Sequence, residues 1–425
     1  MTNRWAVAPM AWHSEWETFT LPPHASMTSV LTHIYLLASV QGLLLSVLLF
    51  TRKQNHSANI ILAMLVFALS LDLIQAAYTF NHLYLAYPHL MGITYVFPFL
   101  YGPLFYLYSR HLTSERDALQ WKDALHFLPA LIILLYSSPV YLLSGDQKIE
   151  FIYLMNTDRP LDFAIIGNLK PLHGLIYTIL VIRVIARHDR RIRTTYSNID
   201  RISLRWLRSL TIGVAVIWAI VVGSIGAADL FNLHFSGFDL AIYLCISILI
   251  YAIGYMGLQQ PELFRRASGK DTPTPALATP EGQPGRYAKS GLSDVTAGEI
   301  LARLRTLMEE QRPYLNGDLT LAKLAELTGV SPHNLSEALN TRLRLSFYDF
   351  VNSYRVDEVK RRLTAREFER YSVLSIAYDS GFTSKTSFNT TFKKHTGMTP
   401  SQFMNLQRTH PLSAPEGTEQ SGGTR

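Results

Sequence analysis

The sequence predicts an all-α protein, in which a bundle of seven transmembrane helices is followed by a cytoplasmic domain with two helix-turn-helix units. Composition is the first indication, because the chain of 425 residues is 48% hydrophobic and 17% charged, whereas soluble domains carry roughly 25% charged residues. The second is that the apolar runs are concentrated in residues 29–258. The third is that residues 293–408 have the polarity of a soluble domain, with apolar residues at helical spacing.

Seven apolar runs follow residues 1–28, which we expect to form an extracytoplasmic N-terminal segment. Each run is close to the roughly 20 residues that cross the hydrocarbon core of a bilayer. A single run is also compatible with a buried core helix, but seven in succession favour a sensor-like transmembrane domain over residues 29–258. The predicted spans are residues 29–51, 58–80, 90–109, 124–143, 163–186, 209–231 and 238–257.

The basic residues between the spans predict the orientation of the chain. Lys and Arg are concentrated in the connections after spans one, three, five and seven, and basic connections remain on the cytoplasmic side. We therefore expect a multi-pass protein of the inner membrane with its N-terminus outside and its C-terminal domain in the cytoplasm. The arginine-rich connection 187–208 also invites a nucleic-acid interpretation, but retention beside anionic lipid is the better explanation.

Ionisable and polar side chains inside the spans indicate a pocket that opens to the outside. Such groups are costly in hydrocarbon and usually face the interior of a helix bundle. We expect Asp72 and Lys170 to form a pair, and the alternative is that these groups only hold helices together. The side chains assigned to this sensor pocket are Asp72, Gln75, Lys170, His173, Asp229 and Asp239.

Residues 259–292 are predicted to be a flexible linker, because they are rich in Pro, Gly, Thr and Ala and lack periodicity. The domain that follows covers residues 293–408, and residues 409–425 are expected to be a disordered tail. The first helix of this domain is predicted to begin at Ser293 and to end near Pro313.

Residues 319–343 have the pattern of a helix, a turn and a second helix. Gly329 lies at the turn, Ser331 is a capping residue, and Pro332 occupies the favoured first position of the second helix. Residues 375–403 repeat this pattern. Two helix-turn-helix units are therefore predicted.

In the second unit Gly381 lies at the turn, Ser384 opens the second helix, and Phe388 and Phe392 share its buried face. A helix predicted over residues 347–363 joins the two units. Their recognition helices can then lie in major-groove segments about one helical turn apart, so one domain can read an asymmetric site.

The outward positions of the two second helices are the predicted DNA contacts, and a solvated helix face is the alternative for any one of them. Base-edge contacts are predicted for His333, Ser336, Glu337, Asn340, Lys385, Thr386, Asn389 and Thr390. Phosphate contacts are predicted for Arg342, Arg344, Lys393 and Lys394.

The C-terminal part of the chain resembles the DNA-binding domain of AraC-type (AraC/XylS) transcription regulators. The segments that carry this resemblance are LTLAKLAELTGVSPHNLS (319–336), IAYDSGF (376–382) and SFNTTFKKHTGMTPSQF (387–403). The spans and the sequence GYMGLQQPELF (254–264) further resemble the membrane-anchored, seven-span members. The resemblance implies base contacts from His333, Ser336, Glu337, Lys385, Thr386 and Thr390. Glu337 departs from the basic or amide side chain that is common at its position.

The function expected from these features is that of a membrane-bound one-component transcription regulator, which binds specific DNA sequences and is controlled by a signal sensed by the transmembrane domain. The alternative is a transporter or channel with an attached DNA-binding regulatory domain, although the spans show no obvious inverted repeat. The expected partners are double-stranded DNA, the lipid bilayer and an unidentified signal ligand, with a homodimer left open.

An enzyme is not expected, because the sequence has no metal-spaced His cluster, Gly-rich phosphate loop or Gly-x-Ser-x-Gly elbow. We accordingly predict no catalytic residues, no metal and no cofactor. The single cysteine, Cys245, excludes a disulfide within the chain.

Overall fold

The computed structural model describes residues 25–53, 55–113, 120–157, 159–200, 202–231, 237–259 and 294–409. Nearly all of the predicted N-terminal segment, linker and tail, and the side chain of Asp229, lie outside what it describes. The described residues form fifteen α-helices with short 3-10 and π segments, and contain no strand. The all-α prediction is therefore confirmed. The chain divides into a first unit, residues 1–187 and 204–272, and a second unit, residues 188–203 and 273–425.

Eight helices precede the predicted linker in the described part of the chain. They are α1 (Ala25–Thr51), α2 (His56–Phe80), α3 (Pro98–Thr113), α4 (Leu128–Tyr141), α5 (Gly145–Thr157), α6 (Leu161–Thr195), α7 (Arg205–Phe231) and α8 (Gly237–Gln259). Six helical segments of the described chain are long and apolar enough to cross a membrane. These six correspond to the predicted spans one, two, four, five, six and seven.

The third predicted span is interrupted. Residues 91–97 form turns, with Gly92 at a φ of 75°, and a helix begins only at Pro98. This helix, α3, has 16 residues and is about 24 Å long, which is shorter than a hydrocarbon core of roughly 30 Å. The prediction of a continuous span over residues 90–109 is thus corrected. A proline favours the first turn of a helix and disfavours a helical residue before it, which explains the start at Pro98.

The first unit is packed around α1, α2, α3 and α8. Helices α1 and α2 approach each other closely at Gly42, where an added Cβ would lie 2.1 Å from the Ser70 hydroxyl. Tyr35 of α1 donates a hydrogen bond of 2.8 Å to the carbonyl of Leu240 in α8. The outer face of α1 instead exposes large apolar side chains, such as Leu48 at 67%. An apolar surface of this kind is typical of a lipid-facing helix.

Seven shorter helices lie in residues 294–409 of the second unit. They are α9 (Asp294–Glu310), α10 (Leu321–Thr328), α11 (Pro332–Ala338), α12 (Phe347–Thr364), α13 (Val373–Asp379), α14 (Lys385–Thr396) and α15 (Pro400–Thr409). Two apolar cores hold them together, one around α9 to α11 and the other around α13 and α14. The connecting helix α12 contributes Phe350 and Val351 to the first core and Val359 and Leu363 to the second. The two helix pairs are therefore fixed to one helix.

Candidate nucleic-acid interface

The first helix pair of the second unit consists of α10 and α11. The side chain of Thr320 caps α10, and Gly329 ends it with a φ of 71°, a left-handed conformation that favours glycine. Ser331 then caps α11, where its hydroxyl accepts a hydrogen bond of 3.1 Å from the backbone N–H of Asn334. Gly329 and Ser331, which the sequence placed at the turn and at the start of the second helix, thus set the bounds between the two helices.

The second pair, α13 and α14, has a tighter turn. Gly381 adopts a φ of 92°, and a Cβ added there would lie 2.3 Å from the carbonyl oxygen of Tyr314 and 2.9 Å from Nε of Arg355. Only glycine fits this position. Ser384 caps α14 by accepting a hydrogen bond of 3.1 Å from the backbone N–H of Ser387.

Helix α14 has one buried and one exposed face. Phe388 and Phe392 are almost completely buried, at 2% and 0% exposure, and their rings contact each other. The predicted DNA contacts of this helix lie on the exposed face and are Lys385, Thr386, Asn389, Thr390, Lys393 and Lys394. The last four of them line one side of a hollow whose other side is formed by residues 399–401. This face is polar and basic, as a DNA-reading helix requires.

The exposed face of α11 is smaller than the sequence suggested. His333 and Asn340 are exposed and Ser336 is half-buried. Glu337, predicted to contact a base edge, is only 6% exposed, and one of its carboxylate oxygens lies 3.7 Å from Nε2 of His333. The structure thus directs Glu337 into the domain. Arg342 and Arg344, predicted to contact phosphate, are both exposed.

An ion pair links the connecting helix to α14. Lys394 donates a hydrogen bond of 2.7 Å to the carboxylate of Asp349. Burial raises the pKa of this carboxyl, but hydrogen bonds from Lys394 and Ser346 outweigh burial and hold the pKa below its ordinary value. A carboxyl with a lowered pKa stabilises the fold above its unfolded-state pKa, and this stabilisation is lost as the pH falls through the folded-state pKa.

We therefore expect the second unit to lose stability between about pH 5 and pH 2, and the variant Asp349→Asn to lose less over this range. The measurement is the midpoint of chemical denaturation at several pH values. The matched control is Asp357→Asn, which removes an exposed carboxylate from the same helix and should retain the full pH dependence. Identical pH profiles for the Asp349→Asn variant and the unmodified chain would contradict the assignment.

The structure brings together part of the sensor pocket predicted within the spans. Asp72 is 8% exposed and accepts a hydrogen bond of 2.9 Å from the hydroxyl of Tyr101. The ammonium of Lys170 lies 3.7 Å from the centre of the Tyr95 ring. Each of the two charged groups thus lies beside a different tyrosine, and the structure shows no direct ion pair between these two described residues. His173 is a neighbour of the Phe99 ring, at 5.3 Å between ring centres.

The other predicted pocket residues are less enclosed. Gln75 is half-buried, and Asp239 lies at the exposed start of α8. The side chain of Asp229 is outside the described part of the chain.

A cavity of about 160 Å³ lies on another side of Tyr95, between residues 91–95 and helices α4, α5 and α6. Its walls are mostly apolar, but they include Ser137, whose hydroxyl is buried without a hydrogen-bond partner among the described residues. The Tyr95 hydroxyl is in the same situation. Lys148 of α5 also lines the cavity and is 3% exposed. The sequence alone does not identify Ser137 and Lys148 as cavity residues. A serine in an apolar helix and a lysine in a polar connection do not by themselves indicate a binding site.

Residues 188–203, here termed the docking segment, belong to the second unit. Both the backbone N–H and the hydroxyl of Ser197 donate hydrogen bonds to the carbonyl of Leu319, at 3.2 Å and 2.7 Å. Arg355 and Asn352 of α12 in turn donate to the carbonyl of Ser197, each at 3.1 Å. Asp200 accepts a hydrogen bond from the Ser384 hydroxyl at the start of α14. A segment that the sequence assigned to the lipid surface is thus packed against both helix pairs.

These helix pairs coincide with a known domain. The family model described as "Helix-turn-helix domain" matches residues 324–405. The C-terminal part of this chain is a helix-turn-helix domain. The match extends from α10 to α15, and it confirms for this domain the resemblance to AraC-type regulators that the sequence showed.

Similar curated proteins include uncharacterized HTH-type transcriptional regulators of Staphylococcus aureus strains COL and MSSA476. Each is 34% identical over 90 residues, which is 21% of this chain and 12% of the relative. The chain therefore spans only about an eighth of the length of these relatives. Among solved structures, the C-terminal domain of AraT, a response regulator from Geobacillus stearothermophilus, is 29% identical. The similarity covers 31% of this chain and 98% of that one, with a TM-score of 0.23.

Proposed function

We propose that this protein is a membrane-bound transcription regulator that binds specific sequences of double-stranded DNA through two helix-turn-helix units, under the control of a signal sensed by its transmembrane helices. The observation that carries the proposal is the exposed polar and basic face of α14 within a helix-turn-helix domain. The aromatic residues of α14 are buried on the opposite side, so this face is available to a partner.

The connecting helix supports a bipartite mode of DNA reading. Helix α12 has 18 residues and is about 27 Å long, which is comparable to one helical repeat of DNA, roughly 34 Å. Since α12 contributes to both apolar cores, the two helix pairs cannot move independently without disrupting a core. One domain then reads two successive major-groove segments, and the base contacts come from the exposed residues of α11 and α14.

Selection of DNA duplexes by the full-length protein in lipid nanodiscs tests this function. At moderate salt we expect enrichment of one asymmetric motif with two parts about one helical turn apart. We also expect affinity to fall steeply as salt rises, because phosphate contacts release counterions. Empty nanodiscs carried through the same selection are the control. A pool that remains unenriched after selection on well-folded protein would refute sequence-specific binding.

Membrane insertion is supported by the six long apolar helices and by the exposed leucines of α1. The basic connections support an arrangement in the inner membrane with the N-terminus outside and the DNA-binding domain in the cytoplasm. The cytoplasmic side is also where a bacterial regulator meets DNA. Labelling of single introduced cysteines by an impermeant reagent in intact cells tests the orientation, and labelling of a residue in α14 would contradict it.

The cavity beside Tyr95 supports sensing of a small molecule that combines an apolar group with an anionic group. An apolar cavity of roughly 150 Å³ accommodates a molecule of the size of benzene. The side chain of Lys148 lines this cavity, and a lysine ammonium forms strong hydrogen bonds with an anionic group. The hydroxyls of Ser137 and Tyr95, which have no hydrogen-bond partner within the described ranges, provide further donors for such a ligand.

Benzoate is a suitable probe of this cavity, and we expect it to raise the apparent unfolding temperature of the full-length protein. The variant Lys148→Met should weaken benzoate binding about 10-fold to 100-fold, as the loss of a hydrogen bond to a charged group implies. Lys122→Met, which removes an exposed lysine, is the matched control, and benzyl alcohol tests the need for charge. Equal benzoate affinity in the Lys148→Met and Lys122→Met variants would exclude this site.

A further inference from the structure

We infer that the docking segment is a regulatory clasp, which holds the helix-turn-helix domain in a state that binds DNA weakly and releases it when the signal is received. This inference rests on the proposed function and assigns a means of regulation to the same DNA-reading surface. It is carried by three features of the contact: its specificity, its burial, and the position of one carboxylate.

The contact is specific because most of its hydrogen bonds have a backbone group as donor or acceptor. Tyr196 and Thr320 form an isolated antiparallel bridge, and Ser197 next to it is 1% exposed. The guanidinium of Arg355 donates to the Ser197 carbonyl at 3.1 Å and to the Ser197 hydroxyl at 3.0 Å. Such a network requires one register of the segment, unlike the diffuse attraction of a basic loop to an acidic surface.

Apolar burial accompanies the hydrogen bonds. Ile192 and Ile199 of the docking segment form a small core with Tyr348 of α12, and all three are less than 9% exposed. Arg193 lies over the ring of Tyr348, 5.0 Å from its centre. The hydroxyl of Tyr348 in turn is 3.3 Å from the hydroxyls of Ser387 and Thr391 in α14. The segment is thereby coupled to the helix predicted to read DNA.

The carboxylate of Asp200 indicates that the contact weakens DNA binding. It accepts a hydrogen bond from Ser384, the capping residue of α14. The N-terminal residues of a recognition helix approach the bases and the flanking phosphates, and here the next residues are Lys385 and Thr386. A carboxylate at this end repels the DNA backbone and occupies the positive end of the helix dipole that would otherwise attract a phosphate. The docked state therefore has the lower affinity for DNA.

The docking segment is continuous with a transmembrane helix. Helix α6 runs from Leu161 to Thr195 without interruption, so its last turns are part of the segment. A rotation or shift of α6 would strain the bridge at Tyr196 directly. The signal then needs no rigid linker between α8 and α9, because it reaches the DNA-binding domain through α6. A ligand changes the fraction of molecules in the docked state only to the extent that it binds one of the two states more tightly than the other.

A reversible disulfide tests the clasp in the full-length protein in nanodiscs. The variant carries Tyr196→Cys and Thr320→Cys together with Cys245→Ser, which removes the single native cysteine. Residues opposite each other in an antiparallel bridge have Cα atoms roughly 4.5–5.5 Å apart, within the range that disulfides span. We expect the oxidised form to bind DNA at least about 10-fold more weakly than the reduced form. Equal affinities, or tighter binding after oxidation, would overturn the clasp.

Three further variants separate the clasp from general effects. The single-cysteine variant Thr320→Cys with Cys245→Ser should show no change on oxidation. Asp200→Asn should bind DNA about 3-fold to 10-fold more tightly than the unmodified chain, since it removes the opposing charge. Asp189→Asn removes the same charge from the helical part of the segment and should have a smaller effect. Failure of even the reduced protein to select a sequence would refute the proposed function, whereas selection without any effect of oxidation would refute only the clasp.

Discussion

Replacement of Arg355 by methionine is expected to destabilise the second unit by at least about 3 kcal/mol, because several buried carbonyls would lose their donor and each costs roughly 1–3 kcal/mol. Arg355 is 1% exposed. It donates to the carbonyls of Tyr314 at 2.8 Å and Asn316 at 2.7 Å, and to the backbone and side chain of Ser197. Burial lowers the pKa of the guanidinium to about 10, so it remains charged at neutral pH. Methionine fills similar space without any donor.

Hydrogen exchange of the α12 amides in the full-length protein measures this effect. A loss of about 3 kcal/mol corresponds to roughly 100-fold faster exchange of the most protected amides. Arg361→Met is the matched control on the same helix, since the Arg361 side chain is 56% exposed and its pair with Glu358 should contribute less than about 1 kcal/mol. If both variants exchange at the same rate, the buried network does not stabilise the unit.

The local structure of the helix pairs was predictable because its determinants are close together in the sequence. Residue type and spacing alone predict Ser331 and Ser384 as helix starts, and Gly329 and Gly381 as turns. Each of these residues acts on groups within about four positions. The structure confirms all four.

The docking segment was not predictable for the opposite reason. Ser197 and Arg355 are 158 positions apart, and the partners of both are mostly backbone carbonyls, which have no signature in the sequence. The same limit applies to the turn at residues 91–97, where an apolar composition concealed the interruption before Pro98. Glu337 shows a third limit. Helical periodicity places it outward, but the structure buries residues 337–339 consecutively as α11 passes into a π-helical turn.

The second large effect is expected from the double variant Lys385→Ala with Thr386→Ala, which should abolish the preference for one part of the bipartite site. Both residues lie in the first turn of α14 and are exposed. A good base-edge contact contributes about 1–3 kcal/mol of discrimination, so the loss of two such contacts should lower the preference by at least roughly 30-fold. The fold should persist, because the cap at Ser384 and the buried Phe388 and Phe392 are unchanged.

Comparison with the variant Lys393→Ala distinguishes recognition of the DNA bases from attraction to the DNA phosphates. Lys393 is exposed in the last turn of α14, beyond the end that approaches the bases. Its loss should weaken binding to all duplexes alike and reduce the salt dependence by about one phosphate contact. The double variant should instead leave nonspecific binding largely intact while its selected motif loses one half. If the double variant and Lys393→Ala weaken all duplexes equally, α14 contributes charge but not sequence recognition, and the specificity must then come from α11.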